Sequence, residues 1–390
     1  MDMRLAPEFR LLLLAVQASR APERAEALER AATEPLDWAV LSRGAHKHGL
    51  SSVLLTMMGR SGAVPPQALD DMRRRAVKSA TVTLARVEET ARVSGALQQV
   101  DARFLIVKGA ALSMQLHGNA GVRDARDVDV LVDASQIAVA GEALRTIGYD
   151  LLDGDLMAAD ATALIRQFRE IKFVHRARGT CVELHRRLTD NRALLDWDFD
   201  TLWRERDMVR IGAVEVPTLA RHRLLPYLCV HGAIHCWERL IWLNDLAAIV
   251  SQRGAMVALE EAREAGLEAL ALHAMALASD WLGSPMPDEL RMLSRRSWRA
   301  RYLDFLARRF FSGARWHETA PPSSAKRFVR FSIWLRLYRY GIKPDWRYWR
   351  AEVAGELVST EDHKAFRFPD RLHFLYMIIR PAGWLIRRLK

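Results

Sequence analysis

The sequence predicts an α/β (α+β) fold: a small mixed β-sheet core flanked by N- and C-terminal helical regions. Three observations predict it. Residues 1–100 carry apolar side chains at helical spacing, as in "LARVEETARVSGALQQV" at 84–100. From residue 103 short β-prone runs punctuated by glycine replace that spacing. The helical pattern returns over 218–312, densest in "LLPYLCVHGAIHCWERLIWLNDLAAIV". The expected organisation is therefore an N-terminal helical region (1–100), an α/β core (101–217), a helical domain (218–312) and a basic aromatic tail (313–390).

Each element has a local reason. "VPPQ" at 64–67 breaks one helix and suits the start of the next, because proline is tolerated in a first turn. "RFLIVKG" reads as a strand ending at Gly109, and "AALSMQLHG" as a short helix closed by Gly118. The acidic run "RDARDVDVLVD" at 123–133 is a strand, and 135–149 is a helix with Ser135 as N-cap and Gly148 as its stop. "IKFVHR" (171–176) and "CVELHRR" (181–187) flank Ala177–Thr180 as a hairpin, and 209–217 forms a smaller one. "PPSS" at 321–324 reads as a linker.

The composition bounds the function. The chain has 390 residues, half of them hydrophobic, a net charge of +11 and a pI near 9.9. The charge is unevenly placed. Residues 321–390 hold 15 Lys+Arg against 6 Asp+Glu, which leaves the first 320 residues near neutral. A near-neutral body argues against a nucleic-acid partner, which favours a basic surface around the site. Cys181, Cys229 and Cys236 are sparse and form no CxxC pair, which suits a reducing compartment, and no apolar run reaches the length of a membrane span. The expected location is cytoplasmic. The basic aromatic tail is a candidate for peripheral contact with the anionic inner face of a membrane, or else a solvated extension packed on the body.

The acidic strand carries the chemistry. Side chains alternate along a strand, so Val128, Val130 and Val132 share one face while Asp127, Asp129 and Leu131 share the other. Asp is depleted in strands, and two ionised carboxylates this close repel unless a cation sits between them. Mg²⁺ takes one or two such carboxylates together with phosphate oxygens. "CVELHRR" repeats the pattern, with Cys181, Glu183 and His185 on one face. If both strands lie in one sheet, Glu183 converges on Asp127 and Asp129. Three carboxylates around Mg²⁺ suit phosphoryl or nucleotidyl transfer, with the third accepting a proton. "VKGAAL" at 107–112 supplies a phosphate cradle: Gly109 lets the backbone turn closely, the following helix aims its N–H groups at an anion, and Lys108 and Arg123 add charge.

At these residues the chain resembles a family. The order Lys-Gly-Ala-Ala-Leu, "RDARDVDVLVD", "VELH" and "LCVHGAIH…LIWLNDLA" is similar to the uncharacterised nucleotidyltransferase family of the DNA polymerase beta superfamily, over residues 40–290. The resemblance implies a small mixed sheet flanked by helices. It also implies Mg²⁺-dependent transfer of a nucleoside monophosphate from an NTP, with Asp127 and Asp129 as the metal pair and Glu183 as the third carboxylate. Lys108-Gly109 stands where most of the superfamily carries Gly-Ser. The family's members occur in polysaccharide and modified-peptide biosynthesis settings, so the resemblance leaves the acceptor open among small molecules, glycans and peptides.

His231 and His235 stand four apart on a helix, close to Arg239, with Asp245 on the next helical stretch. The readings are cleft-lining contacts to nucleotide or acceptor, structural bridges between helices, and a zinc pair, which lacks the Glu of an HExxH motif. The rival functions are a non-catalytic nucleotide-sensing or scaffold protein, and an enzyme adding nucleotides to RNA ends.

Overall fold

The computed structural model describes residues 5–152, 169–311, 316–317 and 325–357. Among the described residues seven strands form one mixed sheet: β1 Phe104–Ile106, β2 Val128–Val132, β3 Asp150–Leu151, β4 Glu170–His175, β5 Thr180–His185, β6 Asp207–Ile211 and β7 Val214–Thr218. Their spatial order is β3-β4-β5-β2-β1-β7-β6. β2 runs parallel to β5 and β1 parallel to β7, and the other neighbours are antiparallel. Both predicted hairpins are present.

The valine face of β2 does what its spacing predicts. Val128, Val130 and Val132 pack with Phe104, Val182 and Leu184 beneath Val93 and Leu97 of the helix Pro66–Gln99 and Leu144 of the helix Ile137–Thr146. Pro66 opens its helix at the first position. Gly118 caps the Gly109–His117 helix at φ +65, and Gly148 follows the Ile137–Thr146 helix at φ +88. Ser135 is not that helix's cap. Gln136 takes the position without a side-chain capping bond, while Ser135 Oγ donates to Asp133 Oδ1, 2.8 Å away. The Ser side chain satisfies a turn before the helix begins.

The chain divides into two compact units, one of residues 1–188 and 197–342, the other of 189–196 and 343–390. In the second, Asn191 Nδ2 donates to the carbonyl of Tyr348 and to Glu352 Oε1, both at 3.0 Å. In the first, the tail helix Ala325–Gly341 is tied in by Tyr338, whose hydroxyl accepts from Trp237 Nε1 (2.8 Å) and donates to His273 Nε2 (2.9 Å). The linker at 321–324 and the chain end from 358 lie outside the described residues. Among the described residues no helix is long and apolar enough to cross a membrane.

Candidate active site

The parallel pairing of β2 with β5 sets the site. It aligns Asp129 with Glu183, so both carboxylates leave the same face of neighbouring strands. Asp127 sits just before β2, half-buried, and Asp129 within it is 2 % exposed. These residues line a cleft of about 290 Å³ together with Lys108, Gly109, Arg123, His231, His235 and Arg239. A larger pocket of about 410 Å³ lies by Asp207 and Arg221, but its charges are matched to one another: Arg223 and His222 hold Glu205, and Arg221 faces Asp207.

Lys108 is the residue before the Gly109–His117 helix, in extended conformation, and Gly109 takes φ +59. That left-handed turn favours glycine, and it puts Lys108 over the acidic strand. Its Nζ lies 2.9 Å from Asp129 Oδ1. Burial alone would raise the Asp129 carboxyl, but the Lys108 ammonium and the His185 hydrogen bond outweigh it and hold it well below the usual range. Burial works against the Lys108 charge too, and Asp129 overcomes it, so the ammonium is held above its usual value. Asp127 goes the other way. Burial first, then the neighbouring Asp129 charge, push its carboxyl up.

Glu183 is paired across the hairpin with Lys172, its register partner. His185 Nε2 approaches Asp129 Oδ1 at 3.1 Å and Glu183 Oε2 at 3.6 Å, while its Nδ1 stands 3.5 Å from Glu170 Oε2. The donor set fits a divalent cation: Asp129, Glu183 and His185 each offer a ligand atom, all within 4.8 Å of one another. The two lysines stand on these carboxylates where a cation's charge is called for.

Arg123 and Arg239 are at the cleft but are also committed elsewhere. Arg123 Nε donates to Asp245 Oδ2 at 2.8 Å, both residues being buried. Arg239 bridges the Lys47 carbonyl (3.1 Å) and Asp124 Oδ2 (3.0 Å), and Ser79 Oγ donates to the other oxygen of Asp124. They brace the loop that leads into β2. Burial, reinforced by Arg126, pushes the Arg239 guanidinium down to about 10.

His231 lies in the helix Arg221–Ile234 and His235 is the residue that ends it. Their rings meet at 5.1 Å, and both pack on Trp242, at 5.0 and 5.2 Å. Burial and the Lys108 charge hold His231 well below its usual value and push His235 down to about 4, so both rings are neutral near pH 7. The helix stops because Cys236 and Trp237 adopt positive φ.

Several lining residues, among them Glu170, Tyr227 and the three that follow, are not among the site residues expected from the sequence. His185 was signalled by alternation, two residues beyond Glu183. Lys172 follows once the hairpin register is counted. Nothing local marks Trp242, which is brought in by the packing of two helices. The cysteines are all free, with Cys229 and Cys236 buried and Cys181 half-buried.

A comparison with curated proteins finds no match. The model of a family described as uncharacterised nucleotidyltransferase matches residues 34–283, more than half of the chain. The match takes in the whole cleft, from the Lys108-Gly109 turn through the paired carboxylate strands to the histidine helix. The chain belongs to this uncharacterised nucleotidyltransferase family.

Proposed function

We propose that the protein transfers a nucleoside monophosphate from an NTP to a hydroxyl or phosphate acceptor, with Mg²⁺ as cofactor. The observation that carries this reading is the register of Asp129 with Glu183 beside Asp127, facing the Lys108-Gly109 turn. A divalent ion on these carboxylates would neutralise the triphosphate and the charge that develops in transfer. Lys108 and the amides opening the Gly109–His117 helix bind the triphosphate. Glu183 takes the proton of the attacking hydroxyl as the new oxygen–phosphorus bond forms and the bond to pyrophosphate breaks. The neutral rings of His231 and His235 and the arginines at 123 and 239 line the nucleotide's side of the cleft. The acceptor would be a small molecule, glycan or peptide of a biosynthetic system, with the basic tail close to an anionic membrane surface.

The test uses ATP labelled at the α-phosphate and, in parallel, at the γ-phosphate, incubated with cell extract and Mg²⁺. Label passing to an acceptor from the α-position only, with wild type and not with Asp127→Asn, supports the reading. Transfer from the γ-position would mean phosphoryl transfer instead. A second reading, a non-catalytic nucleotide sensor or scaffold, is favoured by one observation: Lys108 and Lys172 already balance Asp129 and Glu183. Nucleotide binding without any label transfer would support it.

A further inference from the structure

We propose that His185 is a metal ligand, and that Asp129, Glu183 and His185 form a mixed nitrogen–oxygen site that takes Mn²⁺ in preference to Mg²⁺. The inference deepens the reading above and rests on the same carboxylates.

His185 is 5 % exposed, yet its surroundings are charged rather than apolar. Both ring nitrogens face carboxylate oxygens: Nε2 faces Asp129 at 3.1 Å and Glu183 at 3.6 Å, and Nδ1 faces Glu170 at 3.5 Å. A neutral imidazole has one N–H and one lone pair. In the ion-free fold Nε2–H donates to Asp129 at 3.1 Å; when a cation takes Asp129 and Glu183, the N–H moves to Nδ1, which faces Glu170, and the Nε2 lone pair turns to the ion. A carboxylate that holds the outer N–H of a histidine, so that the inner nitrogen binds metal, is a recurrent device that fixes ring and tautomer. Glu170 is placed for that task because β4 pairs with β5 in a register that sets Glu170 opposite His185.

The spacing agrees. Ligand atoms about 2.0–2.2 Å from one ion stand about 3–3.5 Å from each other, and His185 Nε2 stands at 3.1 and 3.6 Å from its two carboxylate neighbours. The nitrogen decides the ion. Mg²⁺ takes oxygen ligands and gives up its water reluctantly; Mn²⁺ shares the preference for carboxylate oxygens but, as a first-row transition ion, accepts a single imidazole beside them more readily than Mg²⁺ does. The site shares Asp129 with the all-oxygen position that Asp127 and a triphosphate would offer Mg²⁺. Lys108 competes for Asp129 Oδ1 and Lys172 pairs with Glu183 Oε1, so the ion meets Glu183 through Oε2 and leaves Oε1, shared with Lys172, to accept the proton of the attacking hydroxyl.

The test reads metal alone, without nucleotide, so its failure and the failure of the transfer reading are separable. Mn²⁺ is titrated into the full chain and followed by the loss of its free paramagnetic resonance signal, with Mg²⁺ as competitor. Wild type should hold Mn²⁺ against an excess of Mg²⁺ of about tenfold. The bound ion's electron spin echo should carry modulation from an imidazole nitrogen. His185→Ala should lose that modulation and bind Mn²⁺ at least about tenfold more weakly, and Glu170→Gln should weaken binding while keeping the modulation. If His185→Ala does not fold, wild type grown with isotopically substituted histidine decides, because the modulation must change with the isotope. The proposal is overturned if wild type fails to bind Mn²⁺, if the nitrogen modulation is absent, or if Mg²⁺ displaces Mn²⁺ at equal concentration. In those cases His185 is a structural hydrogen-bond partner of Asp129.

Discussion

Lys108 Nζ lies 2.9 Å from Asp129 Oδ1, so an ammonium of the protein stands on the carboxylate proposed to take a metal. Lysine and a divalent cation would compete for one oxygen. A triphosphate that attracts Lys108 relieves the competition, and by linkage metal and nucleotide must then favour each other's binding to the same degree. In calorimetric titrations, Lys108→Met should bind Mg²⁺ or Mn²⁺ more tightly than wild type in the absence of nucleotide. It should also lose most of the coupling between metal and NTP. Unchanged metal affinity in Lys108→Met would contradict the competition.

Asp129→Ala removes the partner and leaves the Lys108 charge behind. Losing one member of a buried pair costs about 3–5 kcal/mol, and Asp129 is 2 % exposed. Urea unfolding should report a destabilisation in that range, reduced where Lys108 reaches water. A double variant, Asp129→Ala with Lys108→Met, should recover part of it.

Asp127 has the opposite sign. Its carboxyl is raised by burial and by Asp129, so the ionised form costs the apo protein stability near neutral pH. That cost is relieved as pH falls through the raised value and is gone below 3.8, the ordinary value. Asp127→Asn should therefore melt higher than wild type without metal at neutral pH, and the gain should vanish in acid. A lower midpoint at neutral pH would show that Asp127 is a structural group and not a strained functional one.

His235 titrates from 6.5 in the unfolded chain to about 4 in the fold. Its neutral form is the one the fold prefers, so its contribution is intact above 6.5 and is lost as pH falls toward 4. Chemical denaturation across that window should show His235→Asn losing less stability than wild type.

Tyr338 joins Trp237 to His273, and all three are buried. Tyr338→Phe strands an indole N–H and a ring nitrogen, each worth about 1–3 kcal/mol when left unpaired. The variant should unfold at lower urea, with nucleotide-dependent properties unchanged in the protein that remains folded.

Much of this site was legible in the strands. Alternation alone sorted Val128 and Val130 from Asp129, and set Glu183 on the matching face of its own strand, because period two is a local property. The pairing of β2 with β5 was not local. It crosses more than fifty residues, and only that register turns two separate acidic strands into one site. The Ser135 cap failed for a different reason, since a serine can satisfy a turn as readily as a helix end. Lys108 and Arg123 were legible as charges on either side of the turn and the acidic strand, but their partners Asp129 and Asp245 are tertiary facts. Trp242 carries no local mark, and its place over the two histidines comes from helix packing.

The most direct measurement of the central claim, that the paired carboxylates hold a metal–nucleotide complex, is the melting midpoint with ATP, GTP, CTP and UTP, each with and without Mg²⁺, on wild type and Asp127→Asn. A ligand that binds only the native state raises the midpoint. At least one NTP should shift wild type only when Mg²⁺ is present, and Asp127→Asn should lose the shift while remaining folded. An absence of any shift in wild type, or the same shift in the variant, would contradict that claim.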